Sequence, residues 1–458
     1  VLRSFYLVLL YVALVVERPG DHAFADYWQS PLKPLGDALF NSLPGLRLPL
    51  WDVLVVLVAV AAHLASPAWK RRSRPLDFAL LTSVFGVAAL CLFGVARGGS
   101  PYQMFYQLHI YFLTILMAWT GFALFGTERG IASLGMTLFV AAMTRMALGL
   151  WFYFTFVRRY QPYPYPSYMT THDDSVLFAA VVAILLSQAL NRPRLSTWMA
   201  VAPGLPLLVI IIILNQRRVA WVALLASVFT MYAALPRGRL RRKVRRRALL
   251  ALPFLIVYVV VGMGRSARIF APINAFRTIQ GQAEDESTKS RDLENAGLVV
   301  SLRSNPLLGL GWGREYIETD ARYAPGLRRI FPQYRYIPHN SLLGVLAFTG
   351  LLGFSLVWCF VPVGVYLAAR SYRFARRTRL RSAALAAVAV FVVYSVQCWG
   401  DMGFQSIDGA IFVGAALACG GRLSLITGAW GKRRRSAVAA GAIAPGGPPP
   451  DAGHLAAA

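Results

Sequence analysis

Acidic residues are scarce in this chain. Asp and Glu number 20 in 458 residues, against 47 Lys and Arg, and charged residues of both signs make up only 15%. A soluble domain carries about a quarter charged residues and is about half apolar. With 57% hydrophobic residues, the chain is therefore not an ordinary water-soluble enzyme. Cysteine is almost missing as well. Cys91, Cys359, Cys398 and Cys419 stand without a CxxC pair or a histidine cluster, which excludes a disulfide framework and a structural zinc site. The net charge of +27 would point to nucleic acid if the basic residues gathered on a soluble surface. Their positions give them another role.

Apolar runs long enough to cross a bilayer recur along the chain. They fall at residues 2–16, 50–66, 76–96, 106–126, 131–156, 175–190, 196–214, 219–235, 248–263, 340–368, 382–399 and 409–427. The sequence thus predicts an all-α polytopic membrane protein with about twelve transmembrane helices. Run 2–16 lacks a basic leader beyond Arg3 and a small-residue cleavage site, so it reads as a span and not a signal peptide. Lys and Arg crowd alternate gaps: Lys70, Arg71, Arg72 and Arg74; eight residues from Arg237 to Arg247; six from Arg370 to Arg381; and Lys432 to Arg435. The opposite short gaps hold few, Arg158 and Arg159 being an exception. This asymmetry predicts both termini in the cytoplasm, and assigns most of the positive charge to topology and anionic lipid. Nucleic acid is not an expected partner. The tail from Ala437, rich in Ala, Gly and Pro, reads as disordered.

One connection differs from the rest. Residues 264–339 form a long polar loop on the extracytoplasmic side, of the kind that carries function. Within it, Ser287 to Ser304 predicts a short helix capped by Ser287 or Ser290, with Leu293, Ala296, Val300 and Leu302 as its apolar side. Asn305-Pro306 ends it. Gly309-Leu310-Gly311-Trp312-Gly313 then reads as a flexible turn against the membrane surface, because no βαβ unit surrounds it to make a dinucleotide site. The loop closes on Pro338-His339-Asn340-Ser341, where Asn340 or Ser341 can cap the next span. His339 would then sit at the positive end of a helix dipole, which favours a neutral imidazole suited to general-base work; a hydrogen bond that only ties the loop is the competing reading.

Arg217 and Arg218 follow Asn215-Gln216 at the outer mouth of the seventh span, where the orientation rule disfavours arginine. Arginine at such depth usually meets an anion, and its planar fork suits a diphosphate. Snorkelling to headgroups is the competing reading, and the better one for Arg158 and Arg159. Arg291 and Asp401 read individually as solvated loop charges. Thr171-His172-Asp173-Asp174 could hold a divalent cation but reads better as a helix cap with solvated carboxylates. Gln161-Pro162-Tyr163-Pro164-Tyr165-Pro166 reads as an interface anchor.

Ser290-Arg291, Ala296 to Val300, Asn305-Pro306-Leu307-Leu308-Gly309-Leu310-Gly311-Trp312-Gly313, and His339-Asn340 followed by Leu343 and Gly350-Leu351-Leu352-Gly353 together resemble the loop signature of the O-antigen ligase and polymerase superfamily. The resemblance implies a GT-C-like membrane glycosyltransferase of the bacterial inner membrane, needing no cofactor and no metal. Its donor would be a glycan on undecaprenyl diphosphate, and its acceptor lipid A–core, a growing chain or a protein. It implies diphosphate contacts from Arg217 or Arg218 and from Arg291, a catalytic base in His339 supported by Asn340, and a late acidic residue in Asp401 or Asp408. The division it implies is nine transmembrane helices over residues 1–263, a periplasmic catalytic loop over 264–339, three more helices over 340–430, and a cytoplasmic tail over 431–458. A repeat-unit polymerase is the alternative within the superfamily. A lipid-linked glycan flippase is the rival from another class, although no repeated halves or midplane polar site are evident.

Overall fold

The computed structural model describes residues 1–18, 30–43, 48–65, 73–162, 166, 168–171, 173–192, 195–265, 267–270, 272–274, 277, 286–319 and 332–430. Lys70, Arg71, Arg72, His172, the centre of the Pro/Tyr segment and the tail from residue 431 lie outside these. The described residues form α1 (Leu2–Val15), α2 (Lys33–Phe40), α3 (Leu50–Ala65), α4 (Arg74–Ala96), α5 (Pro101–Leu124), α6 (Glu128–Phe152), α7 (Asp174–Asn191), α8 (Leu195–Leu214), α9 (Arg218–Ala234) and α10 (Arg239–Gly262). The loop helix α11 (Glu286–Ser304) follows, then α12 (Ser341–Val357), α13 (Phe360–Phe374), α14 (Thr378–Gly400) and α15 (Ile407–Ile426). No strand occurs among them, only an isolated bridge between Ser42 and Pro49. This is an all-α polytopic membrane protein.

Every expected apolar run lies on a helix, but the helices are unequal. Seven are long and apolar enough to cross a membrane: α4, α5, α6 with its extension to Tyr160, α7, α12 continued by α13, α14 and α15. The apolar helices α1, α3, Val201–Leu214 of α8, and α9 are shorter. The small helix α2 has no counterpart among the expected runs. At the centre, α15 packs along α5 and α13, and α14 along α7, α9 and α13. Small residues permit this closeness: a side chain on Gly414 would meet Met117 Cβ at 2.8 Å. By contrast, α10 buries only Gly262, with Leu240, Val244 and Tyr258 among its half-buried positions.

The expected tenth span is two helices. Gly350 takes a left-handed φ of 64° inside α12, and a further break at Trp358-Cys359 separates α12 from α13. The Gly350 break frees backbone groups that need partners. The loop supplies them: the amides of Leu310 and Gly311 donate to the carbonyls of Ala347 and Phe348 at 3.0 and 2.9 Å. Returning the exchange, the amides of Leu351 and Leu352 donate to Pro306 and Leu307 at 2.9 and 3.2 Å. The Gly-Leu-Gly-Trp-Gly segment is therefore a buried clasp and not a flexible surface turn; Trp312 is only 2% exposed. Gly309, Gly311 and Gly313 all have positive φ, as the expected turn requires. Gly311 lies against Gly94 of α4, and Gly313 donates to Gln107 Oε1 of α5 at 2.6 Å.

Candidate active site

Arg217 is placed by the residue two before it. Asn215 is fully buried; its Oδ1 accepts from the amides of Met169 and Thr170 at 2.8 and 3.3 Å, and its Nδ2 donates to Thr170 Oγ1 and Ser175 Oγ. These bonds hold residues 168–171 against the end of α8. Gln216 turns the chain with a left-handed φ of 52°, and Arg217 enters α9 in extended conformation. Its Nη1 donates to Tyr168 Oη at 3.1 Å, its guanidinium lies over the Tyr168 ring, and its Nη2 forms an ion pair with Asp401 Oδ2. A guanidinium has five N–H groups, so these two bonds leave donors for a ligand. Arg218, half-buried, opens α9 one residue later.

Asp401 follows the end of α14. A side chain on Gly400 would meet Val219 Cγ2 at 2.6 Å, so glycine there lets α14 reach the start of α9. Asp401 Oδ1 accepts from the amide of Met402 at 3.0 Å, and Ser341 Oγ of α12 donates to the Asp401 carbonyl at 3.3 Å. Asp408 lies in a different pair, with Arg18 at 3.1 Å, both nearly buried.

Helix α11 brings the remaining groups in. Its buried positions are Glu294, Gly297, Leu298 and Ser301, while Ala296 and Val300 are exposed. The apolar side expected from the sequence is thus not the buried one, because tertiary partners satisfy polar residues there: Ser301 Oγ accepts from the amide of Ile317 at 2.7 Å. Arg291 is not a solvated charge, since its Nη1 donates to the carbonyl of Gly400 at 3.1 Å, beside Asp401. One turn on, Glu294 Oε2 meets His339 Nδ1 at 2.8 Å, and Glu294 Oε1 accepts the His339 backbone amide. Glu294 is 8% exposed and the His339 side chain 21%. With Nδ1–H assigned as donor to the carboxylate, Nε2 keeps its lone pair. Asn340 caps α12 through Oδ1, accepting from the amide of Leu343 at 3.1 Å.

Tyr334 closes the group, its ring edge-on to His339 at 4.7 Å between centroids. Burial raises its hydroxyl pKa above the usual tyrosine value. The carboxylates of Asp401 and Glu294 and the neighbouring Tyr106 add to the rise, and Arg291 opposes it. The phenol therefore stays protonated and able to donate. Two guanidinium groups, a carboxylate-held imidazole and a phenol at one place can bind an anion and move a proton. Among the described residues no three His, Cys, Asp or Glu side chains gather as metal ligands.

Of the expected residues, Arg217 contacts Asp401 directly, Arg291 reaches the carbonyl of the neighbouring Gly400, and His339 joins them through Glu294 on the same helix as Arg291. The structure adds Glu294, Asn215, Tyr168 and Tyr334, which sequence reasoning missed. Only the Arg291 to Glu294 spacing of one turn carried a signal. Thr171 and Asp174 make the expected cap, with Asp174 Oδ2 accepting from the Thr171 amide at 2.8 Å. Asp174 is buried, however, not solvated, because Arg145 pairs with it at 2.8 Å. Arg158 and Arg159 are exposed beside Phe154 and Tyr160.

Residues 203–358 match the family model described as O-antigen ligase. That stretch contains Arg217, Arg291, Glu294 and His339; Asp401 lies beyond it. No curated protein matches the chain significantly.

Proposed function

We propose, from the membership of this chain in the O-antigen ligase superfamily through residues 203–358, that it transfers a glycan from undecaprenyl diphosphate to an acceptor hydroxyl at the periplasmic face of the bacterial inner membrane. The family supports a membrane enzyme of O-antigen ligase or polymerase type. Donor, acceptor and residue roles are inferences from the geometry. The acceptor oxygen attacks the anomeric carbon, the bond from that carbon to the diphosphate oxygen breaks, and the acceptor proton passes to His339 Nε2. Arg217 and Arg291 hold the diphosphate and stabilise the charge that builds on it as it leaves. Asp401 and Tyr168 keep the Arg217 fork in place, and Asn340 holds the start of α12 beside the base. No metal is needed in this scheme, since the arginines supply the positive charge.

The observation that carries the reading is the single turn of α11 that holds Arg291 against the end of α14 and Glu294 against His339. It fixes a cation and a base relative to each other. In a strain lacking the chromosomal copy, His339→Ala is expected to reach the membrane normally and to lose transfer about 100-fold or more. Transfer at the unmutated rate would remove His339 as the base. The donor half is common to a ligase and a polymerase, so the acceptor is read from the surface glycans of a deletion strain. Loss of long chains from lipid A–core marks a ligase, and single repeats left on the core mark a polymerase.

A further inference from the structure

At the end of α9 far from Arg217, about 20–25 Å away by helical rise, a second basic site lies between α9 and α10. A cavity of about 500 Å³ is lined by Tyr232, Arg237, Gly238, Arg241, Arg242 and Arg245. Arg241 and Arg245 are four residues apart on α10 and share one side of its start, while Arg237 precedes the helix. The Arg241 guanidinium lies over the Tyr232 ring at 4.9 Å, which sets its plane and leaves its edge donors available. Among the described residues no carboxylate lines the cavity, and the chain has no Asp or Glu between Asp174 and Glu284. Four guanidinium groups around one space, beside the positive end of α10, call for an anion from outside the chain.

The next turns of α10 say which anion. Leu249, Leu250, Phe254 and Val257 are 59–78% exposed. An apolar strip therefore continues directly from the arginine cavity. A ligand with a phosphate at one end and hydrocarbon at the other fits both features; a free phosphate uses only the first. We propose that this cavity binds the phosphodiester headgroup of an anionic phospholipid, with the acyl chains lying along α10. It is a site separate from the Arg217–Asp401–His339 cluster. The basic residues here do more than orient the chain, because they line one open groove.

The test uses the full chain purified in neutral detergent. Native mass spectrometry counts bound phosphatidylglycerol against phosphatidylcholine, and thermal unfolding is followed with each lipid and with inorganic phosphate. The expected result is preferential retention of phosphatidylglycerol and a rise in melting temperature with that lipid but not with phosphate. Arg241→Gln/Arg245→Gln is expected to weaken phosphatidylglycerol binding about tenfold or more. Arg376→Gln/Arg379→Gln, which removes the same charge from another basic gap, is expected to leave it within about twofold. Equal loss in the two double variants would overturn the site in favour of diffuse attraction. Stabilisation by inorganic phosphate alone would overturn the lipid as its occupant.

Discussion

Glu294 and Arg291 divide the work of one helix face, and their substitutions should separate kinetically. A carboxylate that orients a catalytic imidazole affects the chemical step more than donor binding. Glu294→Gln is therefore expected to lower kcat about 10–100-fold with little change in donor KM. An unchanged kcat would reduce Glu294 to a structural contact. Arg291→Lys keeps one donor for the Gly400 carbonyl but loses the fork that a diphosphate needs. Its expected signature is a loss of about tenfold or more in kcat/KM, measured with a purified lipid-linked donor. Arg217, Arg291, His339 and Asp401 could be picked out in the sequence by resemblance and by their positions at span ends. Glu294 could not, because its partner lies 45 positions away and it is one of several loop acids. Asn215 and Tyr168 were hidden for the same reason: their importance is wholly a matter of tertiary contact.

Elements were more legible than sites. A span of some twenty apolar residues carries its signal locally, and the edges of the long runs were found closely. The break in α12 was not, since Gly350-Leu351-Leu352-Gly353 is as apolar as its surroundings, and only the docked loop makes a left-handed glycine necessary. The buried face of α11 was misassigned because Leu298 is the one large apolar residue among Glu294, Gly297, Leu298 and Ser301. Gly350→Ala tests the clasp. A Cβ there would approach the Leu307 carbonyl carbon to 2.3 Å, in a backbone region that already costs an L-residue about 1–2 kcal/mol. The expected outcome is a lower melting temperature together with faster proteolysis within residues 305–319. A variant as stable and as resistant as the parent would mean that the clasp contributes little.

At the scale of the whole molecule, the charge asymmetry makes a prediction about sidedness. Thr319 and Arg379 are both exposed, one in the loop bearing the candidate site and one in a basic gap. In intact cells opened only at the outer membrane, Thr319→Cys should react with a membrane-impermeant maleimide, and Arg379→Cys only after the inner membrane is permeabilised. The reverse pattern would invert the proposed orientation. The native cysteines are free and none is exposed, which keeps the background low. Inside the bundle, the Arg18–Asp408 and Arg145–Asp174 pairs brace the first helix against the last and the sixth against the seventh. Removing one member of such a buried pair typically costs about 3–5 kcal/mol, so these charges are best read as fixtures of the scaffold.

The hydrogen bonds at the Gly350 break couple the loop bearing the candidate site to the membrane bundle more closely than a hinge would. Leu351 and Leu352 have their amide protons sealed by carbonyls of the loop, and the loop has its own sealed by carbonyls of α12. Neither strand of this exchange can fray without exposing the other to water, so loop and helix form one cooperative opening unit. The proposed long-tailed donor would then reach His339 by sliding in from the side, since lifting the loop would melt part of the span beneath it.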